Sequence, residues 1–320
     1  MIMFGFRAVE SQAMGWIFSN PQKRIFSSIL TCLLLAGTCT LFIFFMINLL
    51  ADNGQAAVKL DRMVALNKPI QAKGIQNIGA ICFANSVVQM LFRVDAIRNF
   101  ILNLNDNIQL PSPREASLLK GLKSLFKSLD NPQVKIVKGH GGQFIPDRFP
   151  RGEQGDAEEF YTAWMEVLEK VMGNDLQSEM FVKVSLNRTK INESETNSTS
   201  TIASDSWPLI KINFPQFAIM KNQQIDLETL LSNENGPFGE ESITSHLKQN
   251  YKITSLPRFV TLSFVRTAYD PSRGPVKVNT PVLIPEKLDL SPFYQLNSTI
   301  TAPNLRLKMF VLHRGTAESG

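Results

Sequence analysis

The chain of 320 residues sets 33 lysines and arginines against 28 aspartates and glutamates, a net charge of +5. That mild excess is spread along the chain with no dense basic block, so a nucleic-acid partner is not indicated. Cys32 and Cys39 share one apolar run and leave Cys82 alone elsewhere, which excludes a disulfide framework or a CxxC zinc pair in the rest of the chain.

Residues 1–24 read as a short N-terminal head. The run after it, "IFSSILTCLLLAGTCTLFIFFMINLL" at 25–50, carries no charged side chain. It exceeds the roughly 20 residues a helix needs to cross a bilayer and is too long for the apolar core of a cleavable signal peptide. One transmembrane helix is expected there, since no polar face appears along it. Basic residues flank it on both sides, with Arg7, Lys23 and Arg24 before and Lys59, Arg62, Lys68 and Lys73 after. The charge bias therefore sets no orientation. Residues 51–72 are polar and mixed in charge, and read as a linker.

From 73 onward the pattern is that of a folded domain. "AIRNFIL" and "REASLLKGLKSLFKSLD" repeat apolar residues at helical spacing, and the second stops before Asn131 and Pro132. "GHGGQFIPDRFPRGEQ" at 139–154 is a loop by its glycine and proline content. "GDAEEFYTAWMEVLEKVMG" has acidic residues in its first turn, a stripe of Phe160, Trp164, Leu168 and Val171, and Gly173 past its end. Beyond about residue 180, "FVKVSL", "LIKINF", "RFVTLSFV" and "LRLKMFVLH" read as strands. Residues 187–206, rich in Asn, Ser and Thr, read as a disordered insertion. "ESITSHLKQNY", which holds His246, reads as a helix. Helices first and strands later argue an α+β domain with segregated halves.

The lone thiol stands at the start of a helical run, in "GIQNIGAICFANSVVQMLF" at 74–92. Unpaired N–H groups and the positive end of the dipole at such a junction favour a thiolate nucleophile. Asn77, five residues upstream, is close enough in a tight turn to offer its side-chain amide to a developing oxyanion. A buried, inert thiol is the competing reading, and this window alone leaves the two even.

The same residues resemble the ubiquitin-specific proteases, cysteine peptidases that cut ubiquitin from proteins. Their cysteine box runs Gly, apolar, x, Asn, apolar, Gly, x, x, Cys, aromatic, x, Asn, Ser, x, x, Gln, x, Leu, and every fixed position is met in "GIQNIGAICFANSVVQML". "QGDAEEF" is similar to the family's Gln-Asp-x-x-Glu-Phe box, with Gly155 where a second Gln is common. "LPRFVTLSFVR" with "VNTPVLIPEKLDLSPF" resembles its core strand and return segment, although Ser263, Phe264 and Val265 replace the common His, Leu and Lys before Arg266. "LRLKMFVLHRGTAESG" resembles the segment leading to the catalytic histidine.

The resemblance covers about residues 73–320 and implies a papain-like cysteine peptidase of thumb, palm and fingers type, preceded by the transmembrane helix. It implies Cys82 as nucleophile, Asn77 as oxyanion donor, and Asp156 and Glu159 as receivers of the basic ubiquitin tail by pairing with arginine. A helix-start role for these two acids is compatible with that. Ubiquitin and ubiquitinated proteins are the implied partners. The family's zinc-bearing fingers correspond to the cysteine-free 187–206 region, so no metal or other cofactor is expected.

The family's last box reads His, x, Gly, four variable positions, Gly, His, Tyr, and its second histidine is the base. Here His313, Arg314 and Gly315 open the box and Gly320 fills its last glycine. The base and the Asp or Asn that orients it are then expected beyond Gly320, in a domain incomplete at its C-terminus. The alternative is a catalytically inactive truncated pseudoprotease that binds ubiquitin at a membrane. His140, His246 and His313 carry no signature of a base. Because ubiquitin is cytosolic, the resemblance implies a single-pass protein with a cytosolic domain, in the mitochondrial outer membrane or the endoplasmic reticulum. Four sequons, at Asn187, Asn192, Asn197 and Asn297, would be usable only in a lumenal domain and are read as chance.

Overall fold

The leucine and phenylalanine spacing of the first half folds into helices that bury one face each. The computed structural model describes residues 1–5, 73–105, 112–138, 142–150, 152–191, 198–215, 223–270, 272, 274–295 and 305–314. Met1–Arg7 and Ala72–Gly320 belong to one compact unit. The apolar run 25–50, the linker 51–72 and the remainder of the head lie outside the described residues, as do His140, Asn192, Asn197 and Asn297. Among the described residues, no helix is long and apolar enough to cross a membrane.

Helices α1 (Cys82–Phe92), α2 (Asp95–Asn103) and α3 (Pro113–Asp130) follow one another in sequence. Ser112 caps α3 by accepting from the Glu115 N–H at 3.3 Å, and Pro113 occupies the first helical position, where its missing N–H costs nothing. Leu118, Leu119, Leu122, Leu125, Phe126 and Leu129 are all buried, as the spacing predicts, and Phe126 meets Phe92 edge to face. Asn131 is extended ahead of Pro132 and ends the helix. The buried Lys73 ammonium donates to the Leu129 and Asn131 carbonyls at 2.6 and 2.5 Å, satisfying acceptors the helix leaves open. Helix α4 (Ala157–Met172) buries Phe160, Trp164 and Leu168, and Gly173 takes the positive φ between it and α5 (Asn174–Met180).

The second half is built of sheets. One has four strands in the order β5 (Ser198–Trp207), β4 (Val182–Lys190), β9 (Leu247–Ser255), β8 (Glu241–Thr244). The other has five, in the order β14 (Lys287–Leu288), β15 (Leu305–Phe310), β1 (Ile2–Gly5), β10 (Phe259–Phe264), β6 (Ile210–Ile212). Val184, Ile210, Ile212, Ile253, Val260, Leu262 and Leu305 share one buried cluster that joins the sheets. Trp207, Tyr251, Phe238 and Phe293 extend it, with ring centroids from 4.8 to 6.2 Å apart along the chain of contacts.

Three expectations are corrected. Residues 187–190 and 198–206 form no disordered insertion; they lie in the paired strands β4 and β5, with Asn187 opposite Thr201. His246 is not helical: it sits in the turn joining β8 to β9. The first residues are not merely a head, because Ile2–Gly5 form an internal strand, antiparallel to β10 on one side and β15 on the other. Asn187 is buried and its Oδ1 accepts from Thr201 Oγ1 at 2.9 Å, so this sequon is closed in the folded domain.

Candidate active site

Cys82 is the first residue of α1, exposed and unpaired by disulfide. No side chain caps this helix, so N–H groups of its first turn stay open toward the thiol's end of the helix. The loop that delivers the chain to Cys82 is tightly wound. Gly79 has φ of 107°, and Ala80 at 46° is in the left-handed region that a residue with a Cβ enters only under strain. Asn77 closes this loop by accepting the Ile81 N–H on its Oδ1 at 3.2 Å. With the carbonyl end of the amide engaged, its NH2 end is left to donate to a substrate. Gln89 Nε2 donates to the Lys73 carbonyl at 2.6 Å and ties the approach to the loop onto the body of α1.

The next residue, Phe83, fixes where the thiol stands. Its ring packs on Phe149 and Phe160 at 5.6 and 5.5 Å, and those two rings lie 5.3 Å apart. Gly155 lies under the ring, and a Cβ there would come within 2.7 Å of Phe83 Cζ. The heads of α1 and α4 are thereby held side by side, with Cys82 on one and Asp156 capping the other.

Asp156 Oδ1 accepts the N–H groups of Glu158 and Glu159 at 2.6 and 3.1 Å. Asp156 and Glu159 are exposed, so both carboxylates reach solvent at the helix head. Sequence reasoning passed over Glu158, which is the acid turned inward. It accepts from Ser263 Oγ at 2.5 Å and pairs with Lys211 Nζ at 2.7 Å, pinning α4 to β10 and β6. Nothing local marks it, since its partners stand more than fifty residues downstream. Fully buried Tyr161 adds a second tie, bonding the Pro208 carbonyl at 3.0 Å and Thr261 Oγ1 at 3.2 Å, and burial pushes its phenol well above the ordinary range.

Arg266, two residues past β10, donates to the Val278 and Thr280 carbonyls at 3.1 and 2.6 Å, with its guanidinium over the Phe214 ring at 4.8 Å. The Met1 α-amino group lies in the field of the same residues. Burial and then Arg266 pull it below its usual value, while Glu158 and Asp156 oppose them. The start of β1, the head of α4 and the end of β10 thus converge. A cleft of about 720 Å³ is lined by Ser86 and Gln89 of α1, by Arg93 just past it, by Arg258 and Phe259, and by residues 307–311.

The described histidines lie outside α1 and the loop before it. His246 is on the β8–β9 turn, and His313 is exposed three residues beyond β15, its carbonyl accepting from Lys277 Nζ at 3.2 Å. Among the described residues, no hydrogen bond joins a histidine ring to Cys82. No group of three or more potential metal ligands occurs among them either.

An exposed thiol at a helix head, in a chain whose helices come first and whose sheets follow, fits the papain-like α+β class of peptidase fold. The family model described as ubiquitin carboxyl-terminal hydrolase matches residues 73–320, and the chain belongs to that family. It is 31% identical over 113 residues to "Ubiquitin carboxyl-terminal hydrolase 27" of Mus musculus, covering 34% of this chain and 26% of the relative. It is 24% identical over 226 residues to "Ubiquitin carboxyl-terminal hydrolase 6" of Schizosaccharomyces pombe, covering 69% and 47%. With "Ubiquitin carboxyl-terminal hydrolase 15" of the same yeast it shares 25% over 248 residues, covering 75% and 21%. The chain therefore spans less than half the length of each of these relatives.

Proposed function

We propose that this protein is a cysteine-type deubiquitinase that hydrolyses the isopeptide or peptide bond after the C-terminal glycine of ubiquitin. The observation that carries the reading is the pairing of an exposed Cys82 at the head of α1 with Asn77 fixed on the loop before it, inside the family match. Cys82 Sγ attacks the glycine carbonyl, and the resulting oxyanion is held by the Asn77 NH2 and by backbone N–H groups at the helix head. Collapse expels the substrate amine and leaves a thioester, which water hydrolyses to regenerate the thiol. Acylation needs a base that takes the thiol proton and returns it to the amine, and hydrolysis needs the same base to take a proton from water and return it to the departing thiolate. By the family's last box, that base is the histidine that follows the box's second glycine. Asp156 and Glu159 receive the arginines of the ubiquitin tail as exposed carboxylates.

The domain works on the cytosolic side, where ubiquitin conjugates are, and residues 25–50 attach it to the mitochondrial outer membrane or the endoplasmic reticulum. The support for attachment is the uncharged length of that run.

The test uses the natural protein from its own cells: cleavage of a ubiquitin C-terminal amide, with Cys82→Ala as control. Turnover that vanishes in Cys82→Ala is expected. Labelling of Cys82 by an electrophilic ubiquitin probe with no amide cleavage would identify a noncatalytic ubiquitin binder. Neither labelling nor cleavage would overturn the ubiquitin reading.

A further inference from the structure

Residues 1–5 occupy an interior position in the five-stranded sheet. Ile2, Met3, Phe4 and Gly5 face Leu262, Thr261, Val260 and Phe259 on one side, and Phe310, Met309, Leu307 and Arg306 on the other. The ladder continues at Met1, whose carbonyl accepts from the Val311 N–H at 2.8 Å. Ile2 and Met3 are 3% and 0% exposed. Without this strand, β10 and β15 would be two strand spacings apart, about 10 Å, with facing rows of unpaired N–H and C=O groups. The strand is therefore required by the sheet and is not a decoration on its edge.

The connection from β1 to β2 (Gly74–Ile75) runs through the whole of residues 6–72, which contain the uncharged run 25–50. A single crossing of a bilayer there would put residues 1–5 and 73–320 on opposite sides of a hydrocarbon layer about 30 Å thick. Strands of one sheet stand about 4.8 Å apart. The two arrangements exclude each other. Two crossings would need roughly 40 apolar residues, far more than this run supplies.

We infer that Met1–Gly5 is a working strand of the protease domain, supplied by the same chain, so that both ends of residues 6–72 lie on one face of any membrane that residues 25–50 enter. This replaces the single-pass arrangement expected from hydropathy, and it stands independently of the deubiquitinase reading.

The test takes the full chain with Cys32, Cys39 and Cys82 replaced by alanine and adds Met3→Cys with Met309→Cys, directly opposed across β1 and β15. Mild oxidation of sealed native membranes, or of the soluble fraction if the protein is found there, is expected to give an intramolecular disulfide absent from either single variant. A disulfide-linked dimer would overturn the assignment to the same chain. No crosslink, with Met309→Cys alone still reacting with a maleimide, would overturn the strand. Should Met3→Cys prevent folding, Ser11→Cys in the same cysteine-free chain gives a second reading. Labelling by a membrane-impermeant maleimide from the face that exposes the protease domain is expected, and labelling only after permeabilisation would overturn the inference.

Discussion

At the scale of single residues, the site depends on atoms that do no chemistry. Gly155 lies beneath Phe83, and a Cβ there would meet the ring at 2.7 and 2.8 Å, with Phe149 3.0 Å away. Neither ring can swing aside, because each already packs on Phe160. Gly155→Ala is expected to cost about 1–3 kcal/mol, the usual range for overpacking, read as a lower urea midpoint. Displacing Phe83 also displaces its neighbour Cys82, so turnover should fall with stability. Asn77 permits a cleaner separation. Asn77→Asp keeps an oxygen for the Ile81 N–H but loses the amide donors, so ubiquitin-amide turnover should drop by about 10²–10³ while the melting temperature holds. Asn77→Ala should lose both. Equal melting losses in the two variants would show that Asn77 only shapes the loop.

At the scale of elements, helix heads carry the charge arrangement. Asp156 both caps α4 and offers a carboxylate to solvent, and two substitutions divide these roles. Asp156→Asn retains a capping oxygen, so it should hold stability and weaken ubiquitin binding. Asp156→Ala should in addition lose about 0.5–2 kcal/mol of folding stability. Helix α6 (Leu227–Ser232) offers a comparison remote from substrate. Asp226 accepts from the Thr229 N–H and hydroxyl, both at 2.7 Å, and the backbone bond above all holds its carboxyl below the ordinary range. Its contribution is therefore complete above the ordinary aspartate value and is lost as pH falls through the lowered one. Asp226→Asn should shrink the acid-side loss of stability in pH-dependent melting. The helices and their caps were legible because helical spacing and capping are local. The β4–β5 hairpin was not, because the β5 residues Ser198–Asp205 are exposed and show no apolar alternation. What holds it is β-branched pairing such as Thr189 with Thr199 at 2.9 Å, which composition alone reads as disorder. Cys82, Asn77, Asp156 and Glu159 could be singled out because each lies in a short local motif. Glu158 and Tyr161 escaped notice because their partners come from the turn between β5 and β6, from β6 and from β10.

At the scale of the whole domain, long-range ties join the helical half to the sheets, and β1 is the extreme case: four residues of no distinctive pattern, paired with strands more than two hundred residues away. The α5 to β10 junction is another. The Arg258 N–H donates to the Ser178 carbonyl at 3.1 Å, and its guanidinium lies 3.6 Å from Glu179 while covering the Phe259 ring. Burial raises the Glu179 carboxyl, and Asp95 and Asp175 add to the rise, while Arg258 opposes it. Burial wins, which means that the folded state binds this proton more tightly than the unfolded chain does. The stability tied to the protonated form is then complete below the ordinary glutamate value and is lost as pH rises through the raised one. Glu179→Gln removes that titration and keeps the shape. Compared with the parent, it should therefore gain stability as pH rises above the ordinary glutamate range, read as the difference in urea midpoints at each pH. Asp226 slopes the absolute curve the opposite way, so only the difference between variant and parent isolates Glu179. Parallel curves would mean that Arg258 fully offsets the burial, and that the junction is held by the Ser178 bond and the Phe259 ring alone.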